Sequence, residues 1–538
     1  MADIDDHTFL RRTYLSIGGR VPTLEEIEAF FAKSENTRRS ELIQQLMDSE
    51  AYVSSSYHFW ADLLRINGRP GSTVSDAYEL WVKDSIRSNK PYDEMVYELV
   101  TADGKIWENG AVGYYYRDQG MPLDNMSNTV RVFLGTRLEC AQCHNHPFDK
   151  WTQMDFFKMA SFTYGISARG YDSPNRNMLG EQQRAAAKKA YLKKAEELTG
   201  VTDFPLIKPN DLERYANKYP EKTDIPEPVI IEKFDKKTKK MKKFVKQQRK
   251  PKLTPHERVG LSKAEFISTV KQCHVAAEEV VGDKDLVRQV VNELYDPLQY
   301  VSLSQKVKDA KLPHDYQYSD ADPHQAIKPE TMFGKEIDLA STDIERITAY
   351  GQWMTSSENP TFTKVIANRM WKKVFGHGVF EPVDELTDNT VVSNPKLLNY
   401  LVDLVVDLDY DLRKFQEILY NTKTYQRTSF QEDDELGTPY YFQGPVLRRM
   451  SAEQIWDSLV SMALPEADRY HPRLKEQVEK IDRVKSIYNQ LEGKPFEEFF
   501  DLVKQITPLV SEKRINDAEN NAKPVSYTHL TLPTTPYV

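Results

Sequence analysis

Two cysteines and a histidine stand together in the order Cys140-Ala141-Gln142-Cys143-His144. Two thiols at this spacing on a tight turn can form thioether bonds to the two vinyl groups of one porphyrin. The adjacent imidazole can then coordinate the iron from the proximal side. We therefore expect covalent haem c at Cys140 and Cys143, with His144 as the iron ligand.

Other uses of the same side chains stay open. Zinc takes thiolate and imidazole ligands, so Cys140, Cys143, His144 and His146 are the alternative metal site, although consecutive residues rarely both reach one tetrahedral ion. A redox Cys-x-x-Cys would need no histidine and would follow a strand at a helix N-terminus. A structural interpretation places both cysteines in a hydrophobic core.

The sixth haem ligand cannot be identified from the sequence. Candidates that lie nearby are His58, Met121, Met126, Met154 and Met159. A methionine on an apolar helix face is more often a core residue than a ligand. The pair Cys273-His274 repeats only half of the motif, since Val270 stands where the first cysteine would be, and we predict a buried cysteine in a helix.

The elements that must position the motif are mainly helices. Apolar residues recur with helical spacing from Asn128 to Cys140, so the motif is expected at the end of a helix or just after it. Thr23 with Glu26, and Ser451 with Gln454, have the spacing of capping boxes. The predicted fold is mainly α and multi-domain, with two helical modules separated by a mixed α/β middle region that contains a β-hairpin.

The predicted domain limits follow changes in sequence character. Residues 1–165 form a helical domain with the cysteine motif, 166–340 a middle region with a lysine-rich hairpin, and 341–524 a second helical domain. Residues 525–538 read as the translation of a transposase-adapter sequence used in DNA library preparation, and we expect this tail to be non-native. The open reading frame is then expected to be a fragment.

Composition limits the class of protein. The 538 residues include 72 Lys and Arg against 81 Asp and Glu, a net charge of −9, which argues against nucleic-acid binding by the whole chain. Three cysteines exclude a disulfide-stapled fold. The sequence contains no apolar run long enough to span a membrane, and its first residues show no secretory signal.

Three further groups of residues have both a functional and a structural interpretation. Residues 233–252 hold eleven Lys and Arg, which suits an anionic polymer but more often marks a solvated hairpin. A set of carboxylates suits acid/base chemistry of a hydrolase, but capping and turns explain such residues more simply. That set is Glu381, Asp384, Glu385 and Asp388. Asn368, Arg369 and Trp371 suit a ligand site but are expected to form an internal polar network that fixes the helix.

Two stretches resemble a known pair of domains. Phe9–Glu26, Trp60–Arg65, Asn89–Asp93 and Cys140–Gln153 resemble the planctomycete cytochrome-like domain of unknown function, the PSCyt type with Cys-x-x-Cys-His. A second set of stretches resembles the usual C-terminal partner domain, the PSD type. These stretches are Asn359–Trp371, Phe375–Gly378, Pro382–Asp384, Thr422–Gln426 and Arg448–Glu453. The resemblance implies a periplasmic or extracellular protein and carries over Cys140, Cys143 and His144 as functional residues. It offers no catalytic residues for the partner domain, so enzymatic activity stays open.

The sequence therefore leads to one main expectation and one alternative. The main expectation is an extracytoplasmic c-type cytochrome-like protein with one haem, which serves electron transfer or an associated oxidation with a redox partner protein. The alternative is a non-redox scaffold or binding protein for surface polysaccharide, with zinc or another structural metal at the motif. We expect no membrane span and no nucleic-acid partner.

Overall fold

The structure is a computed structural model. It describes residues 2–66, 73–118, 121–167, 174–223, 229–235, 239–246, 252–281, 284–333, 337, 343–429, 440–464, 466–469, 471 and 473–508. The described chain is mainly helical, with three small two-stranded antiparallel sheets in these ranges. The predicted fold class is confirmed.

The described part of the first 160 residues contains nine short α-helices. They are α1 (Asp6–Thr13), α2 (Leu24–Phe31), α3 (Arg38–Met47), α4 (Glu50–Leu63), α5 (Thr73–Arg87), α6 (Tyr92–Val100), α7 (Gly113–Tyr116), α8 (Pro122–Leu134) and α9 (Gln153–Ala160). Between α1 and α2 the chain forms a π-helical turn, Tyr14–Gly18, that ends at Gly19 with a φ of 73°.

The remaining described α-helices follow in chain order. They are α10 (Pro174–Thr199), α11 (Pro209–Lys218), α12 (Pro255–Arg258), α13 (Lys263–Val281), α14 (Lys284–Tyr295), α15 (Asp343–Thr355), α16 (Phe362–Phe375), α17 (Pro395–Asp407), α18 (Leu412–Tyr420), α19 (Ala452–Ala463), α20 (Leu474–Leu491) and α21 (496–508).

The strands pair in three antiparallel couples. β1 (Gly104–Lys105) pairs with β4 (Ser302–Leu303), β2 (Val229–Asp235) with β3 (Lys240–Lys246), and β5 (Ala310–Lys311) with β6 (Ala326–Ile327). The β2–β3 pair is the hairpin predicted for the lysine-rich middle region. Its register places Val229 opposite Lys246 and Asp235 opposite Lys240.

Local sequence chemistry explains where several helices begin. The Thr23 hydroxyl accepts from the Glu26 N–H while the Glu26 carboxylate accepts from the Thr23 N–H, so α2 opens with the predicted capping box. Ser451 and Gln454 form the second predicted box at the start of α19. Each box satisfies N–H groups that the first turn of a helix leaves without partners.

Contacts along the chain divide it into two compact units. One unit contains residues 1–171 and 297–489, and the other contains 172–296 and 490–538. The limits expected from the sequence, 1–165, 166–340 and 341–524, stay a prediction about domains. The tail 525–538 lies outside the described residues.

The core of the first unit is built from both ends of the chain. The Tyr92 ring of α6 stacks on Phe362 of α16, with ring centroids 5.0 Å apart, and on Trp60 of α4 at 5.8 Å. The Arg369 guanidinium of α16 is buried and donates to the Val132 carbonyl of α8 at 2.5 Å. Helices α4, α6 and α8 of the N-terminal region therefore share one apolar interior with α16.

The second unit has its own aromatic core. Phe204 stacks on Phe266 of α13 at 5.2 Å, and Tyr215 of α11 stacks on the same ring at 5.1 Å. Cys273 is fully buried on α13, as predicted, and burial raises the pKa of its thiol to about 11. This thiol is therefore a packing residue.

A membrane-spanning helix would need a long apolar segment. Within the described ranges, no helix is both long enough and apolar enough to cross a bilayer.

Candidate functional site

The cysteine motif follows helix α8 on a short turn. Gly135 ends α8 in the left-handed conformation, with a φ of 62°, and the 3₁₀ turn Glu139–Gln142 comes four residues later. Leu138 and Ala141 are fully buried and anchor this turn in the core. The motif therefore lies just after a helix, as the sequence predicts.

Both motif thiols lie on the surface. The N–H of Cys143 donates to the Cys140 carbonyl at 3.2 Å, which closes the turn that separates the two cysteines. Cys140 and Cys143 are exposed and carry free thiols, whereas a structural interpretation of the motif would place them in a core. Their exposure leaves both sulfurs accessible to a bulky reaction partner.

The histidine of the motif is oriented by a backbone carbonyl. His144 Nδ1 lies 2.7 Å from the Asn145 carbonyl oxygen. A carbonyl can only accept, so Nδ1 carries the proton and Nε2 holds the free lone pair. This is the tautomer that a metal-coordinating imidazole uses when its other nitrogen is held by the protein.

The loop after the motif is held by side chains that the sequence analysis did not identify. The buried amide of Gln153 donates to the Gln142 carbonyl at 3.0 Å, and the Asn145 side chain accepts from the Gln153 N–H at 2.9 Å. The Tyr318 hydroxyl accepts from the Asn145 N–H at 2.8 Å. Gln153 closes the family-like stretch of the N-terminal region, whereas no sequence signal marks Tyr318.

The donor set suits covalently held haem. Two accessible thiols and one imidazole with a free Nε2 are the groups that haem c requires. Phe148, four residues after His144 in the chain, is 89% exposed and offers an uncovered apolar ring. Flat apolar groups of this kind favour contact with a macrocycle rather than with water.

The alternative zinc set is less well assembled. The imidazole Nδ1 of His146 accepts from the Phe148 N–H at 3.3 Å. The backbone N–H of His146 donates to the Trp151 carbonyl. Throughout the described ranges, no three His, Cys, Asp or Glu side chains are grouped as a metal site would need. Cys140, Cys143, His144 and His146 thus do not form a ready tetrahedral site in this arrangement.

Two of the methionines considered as sixth ligands are core residues. Met126 and Met159 are both fully buried, and the Tyr350 hydroxyl contacts the Met126 sulfur at 3.7 Å. His58 lies elsewhere, on α4, with its Nε2 3.9 Å from Asp457.

The carboxylates that suited a hydrolase are engaged in ion pairs. Asp384 binds Arg131 at 3.1 Å and Arg137 at 3.0 Å, which joins the second helical region to the segment that leads into the motif. Burial acts to raise the pKa of Asp384, but the hydrogen bond and charge of Arg137, with Arg131, outweigh it and hold the pKa below its ordinary value. Asp388 reaches Lys150 of the motif loop at 2.9 Å.

The other two acidic residues have similar roles. Glu385 pairs with Arg137 at 3.2 Å. Glu381 accepts from Lys372 at 2.8 Å and from the Gly378 N–H at 2.7 Å. These contacts favour the structural interpretation of the set, in which the carboxylates fix loops and join regions.

The internal network expected on α16 is present in part. Asn368 and Arg369 make buried hydrogen bonds, whereas the buried indole nitrogen of Trp371 has no hydrogen-bond partner among the described residues. The Asn368 side chain is fully buried, donates to the Phe380 carbonyl at 2.9 Å and accepts from the Val379 N–H at 2.6 Å. Its neighbour Arg369 holds α8, as described above. These residues therefore position the elements around the motif.

Replacing Asp384 by Asn is expected to lower the free energy of unfolding by about 1–3 kcal/mol at pH 7, because two arginines lose their shared partner. Since the folded-state pKa is lowered, the stabilisation is present above about pH 4 and is lost as the pH falls through the folded-state value. Urea unfolding of wild type and Asp384→Asn at pH 7 and at pH 3 measures both effects.

Asp388→Asn is the matched control. The Lys150–Asp388 pair is exposed on both sides, at 54% and 76%, so its loss is expected to cost less than about 1 kcal/mol. Equal losses in the two variants would contradict the role given to Asp384.

Two family models match this chain, one in its N-terminal and one in its C-terminal region. Residues 1–167 match the family PSCyt2, described as a protein of unknown function (DUF1549), and residues 348–520 match PSD1, described as a protein of unknown function (DUF1553). Searches of curated proteins and of solved structures gave no match. The chain therefore belongs to the proteins that carry a PSCyt2 domain followed by a PSD1 domain.

Proposed function

We propose that this protein is an extracytoplasmic c-type cytochrome-like protein that binds one haem covalently and serves electron transfer or an associated oxidation. The observation that carries the proposal is the geometry at His144. Its Nδ1 is held by the Asn145 carbonyl, next to two exposed thiols on one turn, so Nε2 is free to coordinate. When bound, haem supplies a one-electron redox couple.

The protein's own residues have distinct parts in this proposal. Cys140 and Cys143 fix the position and orientation of the macrocycle through covalent bonds to its edge. His144 would coordinate the iron, and its hydrogen bond to the Asn145 carbonyl holds the ring in the tautomer with a free lone pair at Nε2. Gln153 and Tyr318 hold the loop that follows the two cysteines and His144.

The proposal is tested by producing the chain with a cytochrome maturation system and staining for haem after denaturing electrophoresis. Wild type is expected to stain, because thioether bonds survive denaturation. Cys140→Ala and Cys143→Ala are each expected to reduce the staining, and the double variant is expected to reduce it to background.

Cys273→Ala is the matched cysteine control, since Cys273 lies in the core of the other unit. It is expected to keep wild-type staining. A colourless, iron-free wild-type product would overturn the proposal, and one equivalent of zinc in that product would favour the alternative scaffold function with a structural metal.

A further inference from the structure

A cleft of about 610 Å³ opens in the first unit, away from the cysteine motif. Its lining comes from α1 and the π-helical turn, from α4, from the C-terminal end of α16, and from residues 445–457 around the start of α19. The stretches Phe9–Glu26 and Arg448–Glu453, which resemble the two families, thus meet at one cavity. Its volume is in the range of roughly 300–1,000 Å³ typical of small-molecule sites.

Five cationic side chains line this cleft. They are Arg11, Arg12, Lys373, Arg448 and Arg449. No carboxylate of the described chain lies within ion-pair distance of any of them. This is unusual in a protein with nine more acidic than basic residues, where basic side chains readily find carboxylates.

Neutral groups hold several of these cations in place. Arg12 donates to the carbonyls of Tyr425 and Arg427 at 2.6 and 2.7 Å, and Arg448 donates to the Lys373 carbonyl at 3.1 Å. Carbonyl groups fix the orientation of a guanidinium but leave its charge uncompensated. The cleft therefore carries more cationic than acidic side chains, five against three, and several of the cations are held in fixed orientations.

Lys373 is one of the cations that line this cleft. Its ammonium lies over the Phe59 ring, 5.0 Å from the centroid, and contacts the Ser56 hydroxyl at 3.3 Å. Burial, with a further contribution from the charge of Arg448, lowers the pKa of Lys373 to about 8. An anion bound beside Lys373 would stabilise the charged form of its ammonium.

The cleft also offers hydrogen-bonding groups for an uncharged part of a ligand. His58, Asp62, Glu453 and Asp457 line it together with the cations. Burial raises the pKa of the Asp457 carboxyl. Carboxyl and imidazole groups of this kind accept from hydroxyls such as those of a sugar.

We propose that this cleft binds a small organic oxyanion, of the size of a mono- or disaccharide, whose carboxylate, sulfate or phosphate group contacts the arginines and Lys373. Guanidinium groups recognise such planar or tetrahedral oxyanions through paired hydrogen bonds. The hydroxyls of the ligand then face the acidic side chains and His58.

Calorimetric titration of the full chain tests the proposal. The probes are glucuronate, galactose 6-sulfate and glucose 6-phosphate at constant ionic strength, with uncharged galactose as the reference. At least one anionic probe is expected to bind at least tenfold more tightly than galactose, and the ranking identifies which oxyanion is preferred. The Cys140→Ala/Cys143→Ala variant is expected to bind equally well, because neither cysteine lines the cleft, so the result is independent of haem.

Arg11→Gln/Arg449→Gln is expected to weaken binding of the preferred probe at least tenfold. Both side chains are exposed, so the change is not expected to disturb the fold. The surface control is Arg469→Gln, which removes one exposed arginine paired with Glu466 outside the cleft and is expected to leave binding unchanged.

Protection of Lys373 gives a second measurement. Trace acylation with acetic anhydride, read by mass spectrometry, is expected to slow at Lys373 when the preferred probe is bound, and to stay constant at Lys83. No anion binding beyond that of galactose, equal weakening by Arg469→Gln, or unprotected Lys373 would each overturn the proposal.

Discussion

Residues 1–167, produced without the rest of the chain, are expected to remain largely unfolded. The helices of this region place Trp60 and Tyr92 against Phe362, and the Val132 carbonyl against Arg369. Each large side chain that loses its cover forfeits about 1.5–3 kcal/mol of burial. A few such losses equal the 5–15 kcal/mol that typically separates a folded domain from its unfolded state.

Circular dichroism during heating and backbone hydrogen exchange test this expectation. The fragment is expected to show no cooperative transition and little exchange protection. The matched control is a chain supplied as two co-expressed pieces, 1–235 and 240–508, which together contain both halves of the core. These pieces are expected to copurify and to unfold like the intact protein. A cooperative transition in residues 1–167 alone would contradict the shared core.

His144→Ala is expected to leave haem attached while removing the imidazole that would coordinate the iron. The two cysteines would still hold the macrocycle, so haem staining after denaturation should persist, but the absorption spectrum should change because the iron loses its imidazole ligand. The physical reason is that Nε2, freed by the bond from Nδ1 to the Asn145 carbonyl, is the ligand this site offers. Imidazole added at millimolar concentration is expected to restore the wild-type spectrum.

His146→Ala is the control for this change. His146 is only two residues away, but its Nδ1 already accepts from the Phe148 N–H, so its loss is expected to leave the spectrum unchanged. Equal spectral changes in both variants, or an unchanged His144→Ala spectrum, would remove the proposed ligand role of His144.

Local patterns in the sequence predicted local structure well. The capping boxes at Thr23 and Ser451, the hairpin in the lysine-rich region and the buried Cys273 are all present. Each depends on residues close together in the chain, whose spacing fixes the geometry. Helix α16 begins at Phe362, because the Asn359 side chain accepts from the N–H groups of Thr361 and Phe362 and turns the chain there.

Contacts between distant residues were out of reach of such patterns. Asn368 and Arg369 were expected in an internal network, but the partner of Arg369, the Val132 carbonyl, lies 237 residues earlier. Tyr318 is 173 residues from the Asn145 N–H that it binds. The cleft was missed for the same reason, since its cations come from three separate parts of the chain.

The motif itself shows what spacing can and cannot establish. Spacing indicated the chemistry of Cys140, Cys143 and His144 and their place after a helix. It could not indicate that both thiols face outward, or that the Asn145 carbonyl selects the tautomer of His144. Haem attachment stays a prediction that the staining experiment tests.

The interior shared by both ends of the chain has a consequence for biosynthesis. The ribosome needs on the order of tens of seconds to add the residues that separate Tyr92 from Phe362. During this time the aromatic side chains of the N-terminal region are exposed to solvent. Intermediates with exposed apolar surface are prone to aggregation. The nascent chain is therefore expected to depend on a holding chaperone until Phe362 and its neighbours have been synthesised.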